Sequence, residues 1–131
     1  MVSNRPTMQE LIESVREFLG EEIQPAVRDD SLQFKLRIAS NVLAIVEREI
    51  AQTDRAEQER TESLRQLLGR TQGTGDDLNR ELCERIQQGD YDEDARALLD
   101  HLELITLNKL SIDNPGYSTY RQLVALRAAR D

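Results

Sequence analysis

Residues 34–50 read FKLRIASNVLAIVEREI, a helical segment with apolar side chains on two opposite sides. At about 100° per residue, Leu32, Leu36, Ala39, Val42, Leu43, Val46 and Ile50 share one face. Phe34, Ile38, Asn41 and Ile45 share the opposite one. A helix with one apolar stripe docks on a core, but a helix with two must be covered twice. This segment therefore predicts either the central helix of an all-α bundle or a core helix that also meets a second subunit.

Polar residues stand within the second face. Arg37 and Asn41 are i,i+4 neighbours, and Arg48 lies about three turns beyond Arg37 on the same side, next to Glu49. Two chemistries fit this set. One is a polar network that fixes register inside a helix interface. The other is a contact to a phosphate or carboxylate, which guanidinium forks suit.

The flanking sequence extends the helical pattern. Thr7 and Glu10 form a capping box, and Met8, Leu11, Ile12, Val15, Leu19 and Ile23 recur at helical spacing until Pro25. Asp29, Asp30 and Ser31 offer caps for a second helix over about 32–53. Asp54 with Glu57 offers another start, so a third helix either begins there or continues the second, and its first residues, RAEQERTE, are expected to protrude. Gly69 ends it, and residues 69–77 form a loop. A fourth helix covers about 77–88. A fifth follows the acidic cluster Asp90, Asp92, Glu93 and Asp94, with Ala95, Leu98, Leu99, Leu102, Ile105 and Thr106 facing inward. Asn114-Pro115-Gly116 makes a turn before a last helix over about 118–129. The prediction is one all-α domain over residues 1–131, a bundle of five or six helices.

Charge narrows the partners. The net charge of -8 repels phosphate backbones and anionic lipid, so neither nucleic acid nor membrane is expected. No apolar run reaches the roughly 20 residues that span a bilayer, and the N-terminus lacks a signal pattern. The single Cys83 cannot form an internal disulfide, which suits a cytoplasmic location.

No catalytic or metal constellation emerges, and no cofactor is implied. Asp90, Asp92 and Asp94 open like a calcium loop, but Ala95 and His101 stand where glycine and glutamate are required. His101 has no ligand or base one helical turn away and reads as an edge-of-core histidine. Cys83 has no neighbouring base and reads as a structural thiol. Gly73-Thr74-Gly75 follows no strand and is a connector, not a phosphate loop. Tyr91, Tyr117 and Tyr120 read as buried rings with hydroxyls at turns.

The segments RPTMQELIESVREFLGEEIQPAV, FKLRIASNVLAIVEREI and KLSIDNPGY resemble a family of small bacterial proteins of unassigned function. The likeness is carried by Arg5, Pro6, Thr7, Glu10, Leu11, Arg37, Asn41, Arg48, Glu49, Lys109, Leu110, Asn114, Pro115 and Tyr117. That family accompanies aminoglycoside-phosphotransferase-like kinases and acyl-CoA dehydrogenases. The resemblance implies a non-catalytic accessory subunit for a kinase acting on a hydroxyacyl-CoA. Arg37, Asn41, Arg48, Glu49 and Tyr117 are the candidate interface or anion-binding residues. The alternatives are a partner kinase, a second copy of the chain, or an acyl-CoA bound in a pocket of its own.

Overall fold

The computed structural model describes residues 4–130. Five α-helices follow one another: α1 Met8–Phe18, α2 Asp30–Leu68, α3 Gly75–Gln87, α4 Arg96–Asp113 and α5 Ser118–Arg130. No strand occurs among the described residues, so the all-α expectation holds. The chain divides into two compact units, Met1–Thr53 and Asp54–Asp131, and α2 contributes residues to both.

In the first unit, the Thr7 hydroxyl accepts from the Glu10 amide at 3.2 Å and the Glu10 carboxylate returns to the Thr7 amide. This is the predicted capping box. The helix does not run unbroken to Pro25. It widens into a π turn at Leu19–Ile23 and tightens into a 3-10 turn at Gln24–Ala26. Pro25 has no amide hydrogen to donate, which ends the ladder. The Gln33 side-chain amide donates to the carbonyls of Gln24 and Val27, tying down the connector. Among the cap candidates for α2, Asp29 takes the role, accepting from the Leu32 amide at 2.9 Å.

The second and third predicted helices are one helix of 39 residues. The Asp54 cap is unused because continuing helix already satisfies the amides that a cap would serve. Glu57 instead holds the Arg60 guanidinium at 2.8 Å. The RAEQERTE stretch does not simply protrude, since Glu59, Arg60 and Thr61 are half-buried.

The second unit holds the core. Leu64 and Leu68 of α2, Leu78 and Leu82 of α3 and Leu98 of α4 form one buried cluster, with Leu67 and Tyr91 packed on it. Thr74 caps α3, its hydroxyl accepting from the Asp77 amide at 3.2 Å. Gly75 lets α3 approach α2 closely: a Cβ there would lie 2.5 Å from Glu57 Oε1 and 2.9 Å from Thr61 Oγ1. Gly69, at φ +67°, ends α2 as expected. Cys83 faces solvent instead of the core, because one residue past Leu82 the helix has turned about 100° away.

The inward face of α4 keeps Leu98 as expected but otherwise differs from the predicted one. Leu99, Leu102 and Thr106 are exposed, while Leu98, His101 and Leu107 are buried. Two polar residues turn the helix this way, because both have partners on α2. His101 Nδ1 meets Ser63 Oγ at 2.7 Å, and the Asn108 amide donates to Glu59 Oε2 at 2.7 Å. Buried polar groups favour positions where they can be bonded.

Leu64 is fully buried and Leu99 is 59% exposed, so the same truncation should have different costs. In urea titrations, Leu64→Ala should lower unfolding free energy by about 3 kcal/mol, and Leu99→Ala by no more than about 0.5 kcal/mol. Equal losses would contradict this core.

Candidate functional site

The first unit has no fully buried side chain among its described residues. Its two helices are joined by an ion pair instead. The Arg16 guanidinium of α1 forks onto Glu47 of α2, through Nε to Oε2 and through Nη2 to Oε1 at 3.3 Å. Glu47 is the more buried partner, and its carboxylate raises the Arg16 pKa above the usual arginine value. Glu47 interrupts the inner apolar face between Val46 and Ile50. Such a charge beside an apolar face calls for a partner, but the sequence does not name Arg16, 31 residues away.

Two apolar stripes remain on the surface. Met8, Leu11, Val15 and Phe18 of α1 are each at least half exposed, with the 3-4-3 spacing of a coiled-coil seam. Along α2, Phe34 is 57% exposed, and Ile38 and Val42 are close to half. The predicted second face of α2 is thus real. Leu32 and Val42, assigned to the inner face, are exposed as well. Val42 stands at the margin of the inner arc, and Leu32 lies in the first turn of α2.

Arg37, Asn41 and Glu49 are exposed on α2. Arg48 is half-buried and lines a cleft of about 370 Å³ with Gln9, Arg16, Ala44, Glu47, Ala51 and Gln52. Arg37 is not among the residues lining that cleft, so the two guanidiniums proposed to share an anion are not brought into one pocket. Tyr117 lies in the turn between α4 and α5, 46% exposed, its amide donating to the Asn114 carbonyl at 3.1 Å. It belongs to the second unit.

In the second unit, His101 is only 3% exposed. It stands at a groove lined by Ser63, Gln66, Leu67, Asp100, Leu104 and Arg127. Its Nδ1 is bonded to Ser63, and its Nε2 is buried without a partner among the described residues. Burial, aided by the positive charge of Arg60, pushes the imidazole pKa below 6.5. The serine and histidine form a hydrogen-bonded pair, but no acid orients the second ring nitrogen, as a nucleophilic triad requires. The pair therefore reads as an element of the α2–α4 packing. Sequence spacing could not find it, because Ser63 and His101 are 38 residues apart.

A family model described as a domain of unknown function, DUF6285, matches residues 25–117. The chain belongs to this family. The match includes α2, α3 and α4 whole, and with them the exposed face from Phe34 to Glu49. Neither a curated protein nor a solved structure matches the chain. Among the described residues no helix is long and apolar enough to cross a membrane.

The His101 shift gives the chain an acid-sensitive contact. With the folded pKa depressed below 6.5, the unfolded chain takes up the proton first. This contribution to stability is complete above pH 6.5 and is lost as pH falls through the folded value. Thermal melts between pH 7.5 and 5 should show a fall that His101→Gln reduces, since glutamine can bond Ser63 and does not titrate. An identical fall in both proteins would remove His101 from the account.

Proposed function

We propose that this DUF6285 protein is a non-catalytic interaction subunit that takes protein partners on the exposed apolar stripes of its first unit. One observation carries the reading: eight large apolar side chains between Met8 and Val42 are about half exposed, and none is buried. Exposed apolar stripes of this kind mark interaction sites. Arg37, Asn41 and Glu49 stand beside the α2 stripe, where polar groups give an interface its specificity more than its affinity.

The partner we propose is the one that the resemblance implies, an aminoglycoside-phosphotransferase-like kinase acting on a hydroxyacyl-CoA, with the α1 stripe as its docking face. A kinase needs a catalytic aspartate, metal-binding groups and a nucleotide-binding strand. The described residues contain no strand, so the phosphoryl transfer would belong to the partner.

Co-expression with a kinase of this class tests the reading. The two should co-purify, and Leu11→Glu with Phe18→Glu should weaken capture at least about tenfold, because charges buried unpaired in an apolar interface are costly. Failure to co-purify, with kinase activity unchanged when this chain is omitted, would overturn the reading. Acyl-CoA added to the isolated chain should leave its melting temperature unchanged; a clear rise would favour a ligand-binding role instead.

A further inference from the structure

The α2 stripe is flanked by charges of opposite sign. Its exposed apolar centre is Val42, with Asn41 beside it and Ile38 and Ile45 one turn to either side. Lys35 lies seven residues before Val42 and Glu49 seven residues after, so two heptad steps keep all three on one side of the helix. Lys35, Val42 and Glu49 are all exposed, and Ile45 is half-buried. Read outward from Val42 in either direction, the order is the same: an apolar centre, an isoleucine, then a charge. Only the sign of the charge differs between the two ends.

That difference selects how such a stripe can pair with itself. Laid parallel on a second copy, Lys35 would face Lys35 and Glu49 would face Glu49, and like charges directly opposed are destabilising. Laid antiparallel about a two-fold axis at Val42, each Lys35 faces the other copy's Glu49. Ile38 then meets Ile45 of the second copy, and the two Val42 side chains meet on the axis. A two-fold interface uses one patch twice and must be self-complementary in this way. Asn41 stands beside the axis, where a polar residue in an apolar seam fixes register.

We infer that α2 residues 34–49 form an antiparallel two-fold interface with a second copy of this chain, centred on Val42, with Lys35 and Glu49 paired across it. This deepens the proposed function, since it rests on the same reading of the first unit as an interaction surface. It assigns the α2 stripe to self-association and leaves the α1 stripe for the kinase.

Light scattering on the full chain is the test. The wild type should elute at twice its 15.0 kDa mass. Lys35→Glu alone and Glu49→Lys alone each place two like-charge pairs across the axis, and each should raise the dimer dissociation constant about tenfold. Mixing the two single variants creates a heterodimer with both pairs unlike, and association should return to within about twofold of wild type. That recovery cannot come from misfolded chains. As a second measurement, Val42→Cys in a Cys83→Ser background should oxidise to a covalent dimer, since residues on the axis approach within disulfide range. A wild type that is monomeric at all concentrations overturns the inference, as does a dimer indifferent to the single reversals or a Val42→Cys variant that does not cross-link. A monomer that still captures the kinase refutes self-association alone. A charge-sensitive dimer that captures nothing refutes the kinase reading alone.

Discussion

Everything in this chain is arranged around the apolar demand of α2. The helix is 39 residues long, and the demand is met unequally along it. Leu64 and Leu68 sit in a core closed by α3 and α4. Residues 32–50 meet α1 through the Arg16–Glu47 ion pair, and their outer side stays exposed. Each apolar Å² left exposed forgoes about 25 cal/mol of burial energy. Exposed apolar stripes of this kind are the mark of an interaction site.

The polar groups of the second unit follow the same logic from the other side. His101 and Asn108 are placed on the inner face of α4 because Ser63 and Glu59 wait on α2 to receive them. Arg85 reaches the Leu68 carbonyl at 3.2 Å and Glu81 at 2.8 Å. It thereby satisfies a carbonyl at the end of α2, where no further helical amide is available. These groups are committed to packing, while most other charged residues of the unit are exposed. Lys35, Arg37 and Glu49 on the outer side of α2 are exposed beside an apolar stripe, which is why function is sought there.

The sequence foreshadowed features with local causes. The capping box at Thr7 and Glu10, the glycine stop at Gly69, the turn before Tyr117 and the outer face of Phe34 and Ile38 all follow from spacing within one helix turn or one loop. Features that depend on a distant partner were not legible. Nothing near His101 in the chain names Ser63, and nothing near Arg16 names Glu47. The apolar period of α4 pointed to Leu99 and Leu102 as inward, because periodicity counts apolar residues and cannot see a bonded histidine. At Asp54 the local cap signal was genuine, but the surrounding helix propensity carried the chain through it. The family match supplies kinship without chemistry, so the functional reading stands on the exposed stripes.

Hydrogen–deuterium exchange of the full chain probes the central claim that the outer face of α2 is covered by a second copy. Local opening is easiest where few apolar contacts are buried. Amides of residues 34–49 should therefore gain protection as protein concentration rises, while amides around Leu64 and Leu68 stay constant. If residues 34–49 were as protected as the core in dilute solution and indifferent to concentration, the stripe would need no cover and the account would be wrong.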